Sequence, residues 1–164
     1  MRHPARSAPV RVRVVGADKF PAGSRADGAA SDQIRARSVP IEEAAAADVV
    51  LTATSSTVPV LQGRWLSPNA VVLAVGATGA SLRELDDELM LSCYVVAESH
   101  AAVERESGDV LLSGAKVQAE IGEILANPAI RPHDQKTLFK SVGLAIEDLT
   151  AARLDWRARS ESAR

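Results

Sequence analysis

The sequence predicts an α/β fold: a mostly parallel sheet flanked by helices, with a long helix at the C-terminal end. Three observations carry that expectation. Uninterrupted apolar runs at Asp48–Thr54, Val71–Gly76 and Tyr94–Ala97 have the length and continuity of strands covered on both faces. Segments with apolar residues at helical spacing lie between and after these runs. Strands that alternate with helices at such lengths pair in parallel through right-handed crossovers.

Taken in order, Val10–Val15 alternates apolar and basic residues, as a half-buried strand does. Phe20–Asp32, rich in Gly, Ala, Ser and Asp and carrying Pro21, reads as a loop or a poorly formed helix. Ile34–Val39 fits a strand, and Pro40 suits the first position of a helix, where a missing N–H has no partner in any case. Glu42 and Glu43 then favour that helix's positive end. The run from Asp48 ends in hydroxyls, Thr52, Thr54, Ser55, Ser56 and Thr57. Val71–Gly76 follows a Ser67-Pro68-Asn69 turn. Leu85, Leu89 and Met90, set among acidic residues, predict a short amphipathic helix over Arg83–Leu91. Further helices are expected over Ala101–Glu106 and Lys116–Leu125, with Gly108 and Gly114 flanking a loop between them. Lys136–Lys140 reads as the last strand, and Val142, Ile146, Leu149, Arg153 and Trp156 mark one stripe of the C-terminal helix.

Composition narrows the function classes. With 164 residues, nearly half of them apolar, the chain has material for one sizeable core. A net charge of −2 and 3% aromatics offer neither the cationic groove nor the stacking platforms that nucleic acids require. Residues 1–40 carry eight Lys/Arg against three Asp, and residues 1–9 read as a solvated, disordered leader. The single cysteine, Cys93, rules out an internal disulfide, fits a reducing cytoplasm, and heads an apolar run in which it reads as a small buried hydrophobe. No apolar stretch approaches the roughly 20 residues of a membrane helix. His3, His100 and His133 lack zinc-ligand spacing, and Glu106 with Asp109 has no further oxygen cluster beside it, so no metal site is expected.

Four stretches lie at or just beyond the ends of predicted strands: Thr54–Leu61 (TSSTVPVL), Val75–Met90 (VGATGASLRELDDELM), Glu106–Gly114 (ESGDVLLSG) and Thr137–Asp148 (TLFKSVGLAIED). In order and spacing they resemble the ornithine cyclodeaminase/mu-crystallin family, over roughly Ile41–Leu154. The resemblance implies an NAD or NADP cofactor and redox chemistry, deamination or imine reduction, on a small amino or imino acid. It also implies an incomplete Rossmann-like domain over residues 10–140, followed by a helix over 141–164 that rejoins a substrate and dimerisation domain. Val10–Val15 matches the family's second Rossmann strand, and no GxGxxG or GxGxxA turn for the pyrophosphate occurs in the chain. The chain is therefore expected to be truncated and inactive alone; the alternatives are a non-catalytic small-molecule-binding module or one half of a split enzyme. A sheet edge left open by a lost first strand would promote self-association.

By the same resemblance, Asp86 acts in proton transfer, with Glu88 as the alternative within the acidic cluster. Read without the resemblance, the acids of this segment form a first turn that favours the helix dipole. The resemblance places Thr54 and Ser55 along the nucleotide, Val75 and Gly76 against the nicotinamide, and Ser141 with Gly143 at its carboxamide side. A capping role is equally open to Ser141. Asp18, after the first predicted strand, is either a ribose contact or a turn residue. Lys140 reads as a solvated or ion-paired strand-end lysine.

Overall fold

A computed structural model describes residues 12–15 and 39–162. Six strands form one sheet: β1 (Val12–Val15), β2 (Val49–Thr52), β3 (Val71–Ala74), β4 (Tyr94–Ala97), β5 (Ala119–Glu120) and β6 (Thr137–Lys140). Their spatial order is β1-β2-β3-β6-β4-β5, and each neighbouring pair is parallel. The helices are α1 (Ile41–Ala45), α2 (Asp87–Ser92), α3 (His100–Glu106), α4 (Gly108–Ser113), α5 (Ile121–Ala126) and α6 (Ala145–Ser162). The expected α/β architecture with a parallel sheet and a long C-terminal helix is the one observed.

Strand register defines the core. Val50, Val72, Leu138 and Val95 form one lateral row, and Thr52, Ala74, Lys140 and Ala97 form the next, at the C-terminal ends of the strands. All eight are buried, and the apolar ones above and below pack with Ala44 and Ala45 of α1, Leu89 and Met90 of α2, Val103 of α3 and Val110 of α4. The opposite face is thinner. Val49, Leu51, Val71 and Leu73 are half-buried, and α5 adds no buried residue.

Several boundaries differ for identifiable reasons. The helix expected over Arg83–Leu91 starts at Asp87, because the main chain of residues 83–86 is bonded to a distant segment. Arg83 N–H donates to Ser56 O at 2.8 Å, Val60 and Leu61 N–H donate to Glu84 O, and Asp86 N–H donates to Leu61 O. Gly108–Gly114 is not a loop but α4 and its left-handed end at Gly114, φ 67°. The helix expected from Lys116 starts at Ile121, since Gln118 N–H donates to Val95 O and Ala119–Glu120 joins the sheet edge as β5. Pro40 lies one position earlier than expected, preceding the first residue of α1. Of Ile34–Val39, Val39 is not in a strand; residues 34–38, the leader 1–9, Phe20–Asp32 and Asp18 lie outside the described residues.

β1 pairs directly with β2, Val12 opposite Val49 through Val15 opposite Thr52. β1 therefore occupies the edge of β2 that faces away from β3.

Candidate active site

Ligands of parallel α/β sheets collect at the C-terminal ends of the strands, where loop amides and helix starts point outward. Here those ends belong to β2, β3, β6 and β4, and two carboxylates organise them.

The first is Glu84, fully buried. It accepts hydrogen bonds from Thr52 Oγ1 (3.0 Å), Thr54 N–H (2.5 Å), Gly76 N–H (2.9 Å) and Ala77 N–H (3.3 Å). One side chain therefore ties the end of β2 to the end of β3. Gly76 makes the closure possible, because any Cβ there would overlap the Thr54 backbone. The Glu84 main chain is itself held: its N–H and that of Leu85 donate to Asp109 Oδ1, at 2.8 and 3.0 Å. Asp109, in the first turn of α4, is fully buried and forms an ion pair with the equally buried Lys140, Oδ2 to Nζ 3.2 Å. Gly108 lets α4 approach, since a Cβ there would overlap the carbonyl of Leu82.

The second carboxylate is Glu98, just past the end of β4. It accepts from Ser141 Oγ (3.1 Å), Val142 N–H (2.5 Å) and Gly143 N–H (2.6 Å). Gly143 has φ 82°, a left-handed conformation that turns successive N–H groups to one side and makes a small anion-binding concavity. The anion in it is the protein's own.

The expected cofactor residues are brought together at these ends. Thr54 is buried, its Oγ1 accepting from Ser56 N–H at 3.3 Å, while Ser55 is exposed and Val75 is 38% exposed. Gly76 lies beside them, and Ser141 with Gly143 follows β6. Because β6 lies directly beside β3, both groups fall on one stretch of the sheet's rim. Ser141 is not the cap of α6, which begins at Ala145.

Asp86 lies elsewhere. Its Oδ1 accepts from Leu89 N–H (2.9 Å) and Gly63 N–H (3.0 Å), so it is the N-cap of α2. Gly63 O in turn accepts from Lys136 Nζ at 3.1 Å, and Lys136 precedes the first residue of β6. That bond links the Asp86 neighbourhood to the opposite end of the strands. Of this acidic run it is Glu84, two residues earlier, that lies at the rim, and Glu88 is exposed on α2.

Glu98 escaped sequence reading because its partners lie 43 to 45 residues away. In the sequence Asp109 stands out only as a possible metal ligand beside Glu106, and its pairing with Lys140 has no local signature. Among the described residues no group of three or more His, Cys, Asp or Glu is placed to hold a metal ion. Nor is any helix there long and apolar enough to cross a membrane.

Uncharged small residues and bare main chain at Gly76 and Gly143 line these parallel strand ends. The parallel sheet and its helices define a Rossmann-like type of α/β domain. The profile of the ornithine cyclodeaminase/mu-crystallin family matches residues 10–161, and the chain belongs to that family. Ketimine reductase mu-crystallin of Rattus norvegicus is 43% identical over 138 residues, 84% of this chain and 42% of that protein. Its Mus musculus counterpart is 47% identical over 113 residues, covering 69% and 36%. The structure of Thermococcus litoralis Δ1-pyrroline-2-carboxylate reductase in complex with NADH and L-proline superimposes with a TM-score of 0.68 at 34% identity, over 74% of this chain and 41% of that one. An archaeal alanine dehydrogenase dimer with bound NAD also gives 0.68, at 28% identity, over 77% and 42%. The chain spans about two fifths of the length of these relatives.

Proposed function

We propose that this chain provides the nicotinamide-side wall of an NAD(P) site in a protein that reduces or oxidatively deaminates a small imino or amino acid. The observation that carries the reading is the rim itself: Thr54–Ser55, Val75–Gly76 and Ser141–Gly143 converge on the ends of adjacent parallel strands. Relatives solved with NADH or NAD share the fold. When bound, the cofactor supplies the hydride, and the protein's task is orientation, exclusion of water and proton transfer.

Within that task Gly76 keeps the β2–β3 rim low enough for a ring to approach, and Val75 offers it an apolar contact. Ser141 and Gly143, fixed by Glu98, border the carboxamide side. Asp86, expected to act in proton transfer, is the N-cap of α2 with Oδ1 taken up by two N–H groups, so it is not among the rim residues assigned to the cofactor. The groups that grip the substrate are assigned to the part of the relatives that this chain does not span, on the same polypeptide or a separate one. A buried single thiol agrees with the reducing cytoplasm we assign to it.

Titration of the chain with NADH and NADPH, by calorimetry, tests the reading. Saturable binding weaker than about micromolar is expected, because no glycine-rich turn for the pyrophosphate occurs in the sequence. Submicromolar binding would show that the chain grips the entire dinucleotide unaided. Absence of binding at millimolar cofactor would remove the proposal.

A further inference from the structure

Lys140 ends β6, in the interior of the sheet, as a fully buried cation whose Nζ lies 3.2 Å from the fully buried Asp109 Oδ2. Two opposite charges taken out of water together hold one another in place, because parting them leaves an uncompensated charge inside the protein. The pair also leads somewhere. The other oxygen of Asp109 accepts the Glu84 and Leu85 N–H groups, and the Glu84 carboxylate accepts from Thr52, Thr54, Gly76 and Ala77. Polar contacts thus run unbroken from the end of β6, through the first turn of α4, to the ends of β2 and β3. The absence of a side chain at Gly108 lets α4 close on the loop that carries Glu84.

We propose that the Lys140–Asp109 pair is a positioning device for the rim. It fixes the Glu84 main chain, and through the Glu84 carboxylate it sets the height of Thr54 and of the Gly76–Ala77 turn against the cofactor. Lys140 and Asp109 are positioning residues: they act through Glu84. The device itself rests on the bonds just described, and its purpose rests on the cofactor reading above.

The test compares three variants of the full chain. Lys140→Met leaves Asp109 without its counter-charge. The doubles Lys140→Met/Asp109→Asn and Lys140→Met/Asp109→Ala carry no charge at either position, and only the Asn double keeps an oxygen for the Glu84 and Leu85 N–H groups. Amide hydrogen exchange is read at Thr54, Gly76 and Ala77, with Val50 and Val72 at strand centres as the reference. The rim amides should exchange about tenfold faster in Lys140→Met and in the Ala double, with the reference little changed and the Asn double close to the parent. NADH affinity should fall and recover in step. Equal rim exchange in the two doubles, acceleration of rim and centre by the same factor, or loosened rims with unaltered NADH affinity would each overturn the proposal. Should Lys140→Met fail to fold, the doubles decide the matter, since neither strands a buried charge. A parental chain that takes up no NADH defeats the cofactor reading on its own, and the exchange pattern then decides the device alone.

Discussion

Asp86 and Glu84 are two residues apart and do different work. Asp86 caps α2 through the Leu89 N–H and also receives the Gly63 N–H, whereas Glu84 fastens two strand ends. Asn caps a helix about as well as Asp, while Ala cannot. Asp86→Asn should therefore hold the unfolding free energy within about 0.5 kcal/mol, and Asp86→Ala should lower it by about 1 kcal/mol, measured by urea denaturation. Cys93 gives a second expectation at this scale. Burial pushes its thiol up to about 11 from 9.0, against smaller opposing effects of Lys136 and a Ser92 hydrogen bond. The unfolded thiol then ionises before the folded one, so stability is intact below about pH 9 and falls as pH rises towards 11. Urea midpoints for the parent and Cys93→Ala across that window should converge from below pH 9 upward; parallel curves would contradict the assignment. The role of Asp86 was legible only as a choice within a run of acids, because a helix drawn from Arg83 places all of them in one turn. What separates Glu84 from the helix is bonding to residues 56–61, which no local pattern encodes.

At the scale of elements, strands were the readable part. Tyr94–Ala97 lies where a continuous apolar run predicts it, since such runs are buried in a parallel sheet whatever surrounds them, and Thr137–Lys140 falls within the strand expected over Lys136–Lys140. Helix starts were less readable. α4 looked like a loop because Gly108 reads as a breaker, yet Ser107 caps it, with Val110 N–H donating to Ser107 Oγ at 3.4 Å. Gly108 is there for close approach rather than for a turn. Gly114 ends the same helix in the left-handed region with open space around it, so Gly114→Ala should cost about 1 kcal/mol from backbone strain alone. A melting temperature equal to the parent's would show that the turn relaxes without penalty. Gly108→Ala, by contrast, meets the Leu82 carbonyl and has no such freedom.

At the scale of the molecule, sequence order conveyed the layers but not the strand neighbours. The direct pairing of β1 with β2 joins segments more than thirty residues apart, a choice of neighbour that no local pattern records. The rim was legible as a set of strand ends and illegible as a machine, because Glu98, Asp109 and Lys140 join segments far apart in the chain. The C-terminal helix is the other feature of this scale. Residues 145–160 of α6 are exposed all round, Leu149 at 65% and Trp156 at 73%, and its stripe is interrupted by Arg153 while Leu154 points elsewhere. What supports it is its own backbone ladder, with side-chain links such as Asp155 to Arg159 at 2.7 Å. Helices of this length are marginal in water without packing. Heating should therefore give a two-phase circular dichroism trace, a shallow early loss of helical signal followed by the sharp collapse of the sheet. A single steep transition that takes all the ellipticity at once would mean that the tail had found a seat on a surface, its own or another's.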